Sequence, residues 1–256
     1  LHTYSNLTTG KVYWNVINKE RDGKYLGETV QVIPHITDEI RSFIIQAGRH
    51  AQADVVITEI GGTTGDMESL PFLESIRQVP LIVGRNNCLF MHVTYIPYLS
   101  GSNEYKSKPT QHSVKELQSH GINPDMIVAR CDEKIPNNVL DKISLFCNVE
   151  KDCVIENTTL ESLYEVPLMF EEQNVADLVC RKLGLEERKP DLDEWRRMVD
   201  NIRTAKDHVR IALVGKYVQL HDAYLSVSEA VTHAGFEPCK SGYRLDRFGN
   251  AGPVEA

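Results

Sequence analysis

The residue types best suited to chemistry lie in two short loops, one acidic and one basic. The acidic loop, Gly61–Glu68, holds three glycines together with Asp66 and Glu68. Glycines allow a close approach of backbone to a ligand, and carboxylates accept hydrogen bonds from a sugar or a base. Alternatively, Asp66 caps a turn and Glu68 occupies a first helical turn, where the helix dipole favours it. The pattern alone leaves both interpretations open.

Glu59 ends an apolar run, Ala53–Glu59, that we predict to be a buried parallel strand. A carboxylate at the carboxyl end of such a strand is the Walker B arrangement, which offers an oxygen ligand to Mg²⁺ beside a nucleotide. The alternative is a strand-end glutamate that meets only solvent.

The basic loop Lys106–Gln111 places two lysines ahead of a helix that we expect to begin at Thr110, with Thr110 as its capping residue. Free backbone N–H groups, the helix dipole and two ammonium groups together suit a polyphosphate. A solvated surface loop is the alternative. Lys142 on a predicted helix and His35 after Pro34 carry weaker signals, since an exposed lysine and a histidine without a ligand are common.

Strands and helices alternate along the first two thirds of the chain, which predicts βαβ units and a parallel sheet. We expect strands at Thr29–Ile33, Ala53–Glu59, Cys88–Ile96, Met126–Ala129 and Cys153–Ile155, and helices from Thr37 to Gly48, after Ser69, from Thr110 to His120, and from Asn137 to Phe146. His92 lies inside an apolar strand and is expected in the core.

The pattern changes after residue 185. A charged segment, Glu186–Pro190, precedes a predicted helix at Leu192–Thr204. A strand at Val209–Gly215 and a helix at Asp222–His233 then read as the first βα unit of a second α/β domain. The last stretch, Lys240–Ala256, has no period and predicts a disordered or foreign tail.

Composition narrows the class of protein. The chain has 256 residues, 41% hydrophobic and 25% charged, with a formal net charge of −8. These values are typical of a globular domain and argue against a dedicated nucleic-acid binder. No apolar run reaches the roughly 18 residues that a membrane span needs. The six cysteines form no CxxC pair and the start is not a signal peptide, which favours reduced thiols in the cytoplasm.

Phosphate-loop signatures are missing from the sequence, which contains neither GxxxxGK[ST] nor GxGxxG after a strand. Three segments nevertheless resemble CTP synthases: Tyr25–Thr37, Glu59–Glu74 and Lys106–Leu117. The resemblance runs from about Ser5 to Phe236. Departures are mild in the acidic loop, where Thr64 and Met67 replace the usual Val and Ile.

The resemblance implies an α/β fold with a parallel sheet flanked by helices. It implies a P-loop ATPase-like amidoligase domain over residues 1–185, with the family's P-loop and a second Mg²⁺-binding Asp upstream of Leu1. A linker with a helix at 186–207, a truncated class I glutamine amidotransferase domain at 208–239 and an atypical tail at 240–256 would follow.

The resemblance also implies roles for individual residues. Glu59 matches a Mg²⁺ ligand, and Asp66, Met67 and Glu68 match contacts to CTP bound as feedback inhibitor. The UTP and CTP site would comprise Lys106, Ser107, Lys108, Pro109, Thr110, Gln111 and Lys142. Leu160, Glu161 and Ser162 fall where the family contacts ATP, although only Ser162 matches the pattern there.

The implied reaction is the amination of UTP to CTP, with ATP consumed, Mg²⁺ as cofactor and glutamine as the ammonia source. The glutaminase Cys–His–Glu triad is not in this chain, so the implied activity belongs to a homotetramer of complete chains. Two alternatives remain: a nucleotide-binding or oligomer-forming module without catalysis, and a different P-loop ATPase such as a dethiobiotin synthetase relative.

Overall fold

A computed structural model describes residues 4–205, 207–209, 211–216, 220–236 and 243–245. The chain divides into two compact units. The first comprises Leu1–Thr159 and Phe170–Glu187, and the second comprises Leu160–Met169 and Arg188–Ala256.

The elements of the first unit follow one another in α/β order. They are α1 (Thr9–Arg21), α2 (Thr37–Ala51), α3 (Leu70–Val83), β1 (Met91–Tyr95), β2 (Tyr98–Leu99), β3 (Glu104–Tyr105), α4 (Lys108–Ser119), β4 (Met126–Cys131), α5 (Asn137–Cys147), β5 (Val154–Thr158) and α7 (Val175–Leu183). Helix α6 (Val166–Glu172) begins in the second unit and ends in the first.

A three-stranded parallel sheet in the order β1–β4–β5 forms the centre of this unit. Met91 lies opposite Met126 in the first pair, and Ile127 lies opposite Val154 in the second. Strands β2 and β3 form a separate antiparallel hairpin just beyond the carboxyl end of β1.

Helices cover both faces of the central strand. Successive residues of a strand point to opposite faces, yet Ile127, Val128 and Ala129 are all buried. The surrounding core takes Val114 from α4, Ile143 from α5 and further residues from α7. The predicted α/β architecture, a parallel sheet flanked by helices, is therefore confirmed.

One face of β1 is buried against α4. The His92 Nε2 and Ser113 Oγ atoms lie 2.9 Å apart, and the hydroxyls of Thr94 and Thr110 lie 2.8 Å apart. Burial lowers the pKa of His92, so its neutral form is favoured there. The prediction of His92 as a core residue is confirmed.

Helices α1 and α2, with Ile36 directly before α2, build a second, smaller core that contains Val12, Val16 and Ile40. Helix α2 does not stop at Gly48 as predicted but continues to Ala51. A Cβ atom at Gly48 would lie 2.7 Å from Val56 Cγ2, so this glycine allows the following segment to cross the helix closely.

Two predicted strands are wrong. Thr29–Ile33 leads instead into a helical turn at Val32–Ile36, closed by the Thr37 hydroxyl donating to the Pro34 carbonyl at 2.9 Å. Ala53–Glu59 is extended chain without a paired strand among the described residues. A strand is stable only when a neighbour satisfies its backbone, and Ile57 in this segment is 94% exposed.

The second unit contains α8 (Asp193–Thr204), β6 (Asp207–Val209), α9 (Leu225–Ala234) and β7 (Tyr243–Leu245), with β6 and β7 parallel. The predicted strand at Val209–Gly215 thus begins earlier, and residues 211–215 are not in a strand. Residues 243–245 form a strand where a disordered tail is predicted. The rest of that prediction, at 240–242 and 246–256, lies outside the described residues.

Within the described part of the chain, no helix has both the length and the apolar character that crossing a lipid bilayer requires.

Candidate functional site

The acidic loop is folded by its own hydrogen bonds. The Thr63 N–H donates to Asp66 Oδ2 at 3.1 Å, and the Asp66 N–H donates to the Thr63 carbonyl at 3.0 Å. The Ser69 hydroxyl donates to the Gly61 carbonyl at 3.1 Å. Asp66 therefore caps a turn, and Glu68 lies in the short helical turn Met67–Ser69, as the alternative interpretation predicts. Glu68 and Met67 are both exposed, Met67 at 81%.

Two glycines make this loop possible. Gly62 and Gly65 have φ angles of +94° and +99°, which side chains rarely allow. A Cβ at Gly62 would lie 2.7 Å from Ser69 Oγ, and a Cβ at Gly65 would lie 3.3 Å from Cγ of Glu116 on α4. The loop thus packs between the start of α3 and the side of α4.

Glu59 is exposed, at the end of the extended segment before the loop. It does not end a paired strand, so the Walker B geometry predicted for it is not formed within the described residues. Its carboxylate remains a hard oxygen donor of the kind that Mg²⁺ prefers, and one or two such carboxylates together with substrate phosphates suffice for that ion. The residue therefore fits a Mg²⁺ ligand by its chemistry and accessibility.

A separate group of potential metal ligands lies elsewhere. Glu150, Asp152 and Cys153 come within 4.8 Å of one another. Lys182 and Arg181 already form ion pairs with the two carboxylates, at 3.3 and 2.7 Å. Burial raises the pKa of the Cys153 thiol to about 11. Their charges are satisfied within the protein, and they lie outside the predicted site.

The basic loop forms the start of α4. Helix α4 begins at Lys108 with Ser107 at the capping position and Pro109 in the first turn. Its first bond of the regular i to i−4 type runs from the Gln111 N–H to the Ser107 carbonyl, at 3.1 Å. The N–H groups of Lys108 and Thr110 precede that bond and are directed out of the helix end.

Thr110 differs from its prediction. It is not the capping residue but lies inside the first turn, fully buried, with its hydroxyl against that of Thr94. The side chain of Gln111 donates to Ser107 Oγ at 3.1 Å. The side chain of Thr110 therefore joins α4 to β1, and the exposed Lys108 is the residue of this first turn that can offer a ligand its backbone N–H.

The structure brings Lys142 towards the basic loop. The Lys106 ammonium donates to Glu104 on the β2–β3 hairpin, and Lys142 on α5 is close enough to act on the same carboxylate. The hydrogen bond from Lys106 lowers the pKa of Glu104, with a smaller Coulomb contribution from Lys142. Lysines from two elements thus favour the charged form of Glu104.

The acidic and basic loops contact α4 at different ends. The acidic loop packs against Glu116, whereas the basic loop contains Lys108 at the helix start. Eight residues separate these positions, which is about 12 Å along the helix axis. Within one chain, the acidic and the basic loop therefore both lie along α4, but at positions too far apart on the helix to touch each other there.

Polar residues that the sequence analysis missed lie at the carboxyl edge of the sheet. The Tyr95 hydroxyl, at the end of β1, donates to Oδ2 of Asp132 after β4 at 2.8 Å. This hydrogen bond raises the pKa of Tyr95. Thr159, directly after β5, donates its N–H to the Cys131 carbonyl at 2.9 Å. The signal that could have found them is the one used for Glu59, a polar residue directly after a strand.

Leu160, Glu161 and Ser162 belong to the second unit. Ser162 precedes a short helical turn at Leu163–Glu165, and its hydroxyl accepts the N–H of Tyr164 at 3.3 Å. Glu161 is exposed, while Leu160 and Ser162 are half-buried.

Comparison with known proteins identifies the family of the chain. A family model described as "CTP synthase N-terminus" matches residues 1–185. A CTP synthase of Ruminiclostridium cellulolyticum is 60% identical over 231 residues, which cover 90% of this chain and 43% of the relative. A CTP synthase of Clostridium kluyveri is 59% identical over 232 residues, 91% of this chain and 43% of the relative.

The chain thus spans less than half the length of the curated relatives that it matches. The family match covers the sheet, the acidic loop and the basic loop, all of which lie before residue 185. On this evidence the chain belongs to the CTP synthase N-terminal family.

Proposed function

We propose that this chain is part of a cytoplasmic ligase that aminates UTP to CTP, using ATP and ammonia from glutamine. The observation that carries the proposal is the basic loop, where Lys106 and Lys108 lie at the start of α4. Such a combination of ammonium groups and free backbone N–H groups suits a triphosphate. The relatives that share this segment are named CTP synthases.

In this proposal the basic loop binds the triphosphate of UTP, and of CTP. Lys106 and Lys108 offer ammonium groups, and the N–H group of the exposed Lys108 faces the same end of the helix. Ser107, Pro109 and Gln111 shape this start. The fixed φ of Pro109 suits the first turn, and the Gln111 side chain holds Ser107. Lys142 adds charge from α5.

In this proposal the acidic loop recognises CTP, the pyrimidine nucleotide that the reaction produces, and distinguishes it from UTP. Asp66 uses one carboxylate oxygen to accept the Thr63 N–H, which leaves the other for a ligand. Glu68 is exposed beside it, and Met67 presents an apolar surface. We propose these three residues as contacts to CTP bound as a feedback inhibitor.

For ATP, the proposal assigns residues in each unit separately: Glu59 in the first unit as a ligand of Mg²⁺, and Leu160–Ser162 in the second unit as nucleotide contacts. Glu59 would hold Mg²⁺, whose charge would neutralise the phosphates of ATP. Transfer of the γ-phosphoryl group to O4 of the uracil would create a good leaving group, which ammonia then displaces. The chain's own residues would bind and orient the two nucleotides for this transfer, and no protein nucleophile is needed.

The experiment uses a chimera in which residues 5–236 of this chain replace the corresponding part of the Ruminiclostridium cellulolyticum relative. The proposal expects the chimera to convert UTP to CTP in the presence of ATP, Mg²⁺ and ammonium, or with glutamine instead of ammonium. It also expects a homotetramer by light scattering when nucleotides are bound. A folded chimera that binds UTP and ATP without forming CTP would support a nucleotide-binding module instead and contradict the proposal.

A further inference from the structure

Tyr164 connects the segment Leu160–Ser162 to two helices of the second unit. Its backbone N–H donates to the Ser162 hydroxyl at 3.3 Å, so its position depends directly on the end of that segment. Its carbonyl accepts the indole N–H of Trp195 on α8 at 2.7 Å. The backbone of Tyr164 is therefore held on both sides.

The side chain of Tyr164 lies on helix α9. Its hydroxyl donates to Glu229 Oε2 at 3.1 Å and contacts His233 Nε2. Since a phenol has one proton, donation to Glu229 leaves its oxygen to accept the Nε2–H of His233. Glu229 and His233 are one helical turn apart, with 3.8 Å between Glu229 Oε2 and His233 Nε2. Burial raises the pKa of Tyr164, and the bond to Glu229 raises it further.

Aromatic packing adds to these hydrogen bonds. The Tyr164 ring meets those of His233 and Phe236 edge to face, with centroids 5.4 and 5.0 Å apart. This geometry is favourable for aromatic pairs. Tyr164 thus contacts α9 through both its hydroxyl and its ring.

The next residue ties the same segment to α8. Glu165 is 6% exposed, and its Oε2 accepts a hydrogen bond from Arg203. A buried carboxylate is costly without such a partner, so this ion pair fixes the backbone next to Tyr164. The contacts of Tyr164 and Glu165 together bind the segment to α8 and α9.

We infer that Tyr164 is a positioning residue that sets the ATP contacts of Leu160–Ser162 according to the position of α9. The inference rests on the proposed function, in which that segment contacts ATP and α9 begins the amidotransferase part. A movement of α9 is transmitted to Ser162 through the Tyr164 hydroxyl, ring and backbone N–H. ATP affinity and the placement of the amidotransferase part are then coupled, and the coupling acts in both directions.

Equilibrium titration of the chimera with ATP, and separately with UTP, tests this inference without turnover when ammonium and glutamine are omitted. Tyr164→Phe removes the hydroxyl but keeps the ring. We expect the Kd for ATP to rise about tenfold, within the usual range of coupling between sites, and the Kd for UTP to change less than about twofold. Glu229→Gln, on α9, should raise the Kd for ATP in the same direction, and the double variant should show less than the sum of both effects.

Thr232→Val is the matched control. The Thr232 hydroxyl lies on α9 but donates to the Ser228 carbonyl of the same helix at 2.9 Å, so its loss leaves the contacts between Tyr164 and α9 in place. It should leave both affinities unchanged. A merely structural role for Tyr164 predicts lower thermal stability with unchanged ATP affinity in every variant that folds.

The outcomes separate the inference from the proposed function. Unchanged ATP affinity in Tyr164→Phe and Glu229→Gln, in a chimera that still forms CTP, would overturn the inference alone. A chimera that binds ATP but forms no CTP contradicts the proposed function. The Kd values for ATP of the original and the substituted chimera still decide the inference in that case. Failure of the unsubstituted chimera to bind ATP would overturn both. If Tyr164→Phe does not fold, as judged by circular dichroism, Glu229→Gln decides.

Discussion

At the scale of the residue, Lys106 has the clearest consequence. Its ammonium pairs with an exposed carboxylate, Glu104, which a triphosphate can replace as the partner. A hydrogen bond that involves charged groups is worth about 1.5–3 kcal/mol, so Lys106→Ala should weaken UTP and CTP binding about ten- to a hundredfold. ATP binding should stay within about twofold. Calorimetric titration of the chimera with each nucleotide measures this.

Lys115→Ala provides the matched control for that substitution. Lys115 is an exposed lysine on α4, about 10 Å along the helix axis from Lys108 at the helix start. It should leave all three affinities unchanged. Equal weakening by both substitutions would indicate only a general loss of positive charge, and the triphosphate would then lie elsewhere.

The second prediction at the scale of the residue concerns Glu59. Glu59→Gln keeps the size of the side chain but removes the anionic oxygen that a Mg²⁺ ligand needs. The chimera should lose most of its CTP formation while its circular dichroism spectrum is unchanged. Glu20→Gln, an exposed glutamate on α1, should have no effect. Near-normal activity of Glu59→Gln at saturating Mg²⁺ would remove this residue from the site.

At the scale of the element, the acidic loop depends on a backbone that only glycine adopts easily. Gly62→Ala forces a side chain into a φ of +94° and places its Cβ 2.7 Å from Ser69 Oγ. Backbone strain of this kind costs about 1–3 kcal/mol. Urea unfolding of the 256-residue chain should show that loss in the free energy of unfolding.

Gly10→Ala is the control for this loop. Gly10 lies in α1, and a Cβ there meets nothing within 4 Å. Alanine is the better helix former, so this variant should be as stable as the original or slightly more stable. A loss of stability as large as that of Gly62→Ala would contradict the argument from the positive φ.

The sequence predicts those elements whose periodicity and end signals agree. Helix α5 is predicted at Asn137–Phe146 and found at Asn137–Cys147, and β4 is predicted from Met126 and begins there. Their apolar residues face one contiguous core, so local pattern and tertiary packing give the same answer. The expected parallel sheet follows from these elements.

Prediction fails where the outcome depends on contacts distant in sequence. Ala53–Glu59 has the composition of a buried strand, but composition does not specify the neighbour that must pair with it. Thr110 has the character of a capping residue, yet its hydroxyl is used by Thr94. Tyr95 and Asp132 meet because two parallel strands end together, a fact that a linear pattern does not display.

At the scale of the molecule, the core around the sheet contains three buried thiols. Cys131, Cys147 and Cys153 are each at most 2% exposed and belong to one apolar cluster. Burial raises the pKa of Cys131 to about 12 and that of Cys147 to about 11, from an ordinary 9.0. The apolar surroundings favour the neutral thiols, so these cysteines should react slowly with alkylating reagents at neutral pH.

The raised thiol pKa values predict how stability depends on alkaline pH. Below pH 9 a thiol such as Cys147 is protonated in both the folded and the unfolded chain and contributes no pH dependence. Between pH 9 and about 11 the unfolded chain releases a proton that the folded chain keeps, so the free energy of unfolding falls as pH rises. Each such thiol contributes a slope of at most about 1.4 kcal/mol per pH unit.

Urea unfolding of the 256-residue chain at several values between pH 8 and 11 tests this expectation. Cys147→Ala should flatten the decline by up to the slope of one thiol, because the unfolded variant has one proton fewer to release. Val149→Ala, from the same cluster, should lower stability at every pH but keep the original slope, since it removes apolar contacts and no titratable group. An identical decline in Cys147→Ala and the original chain would show that this thiol ionises equally in both states, and that the core does not hold it neutral.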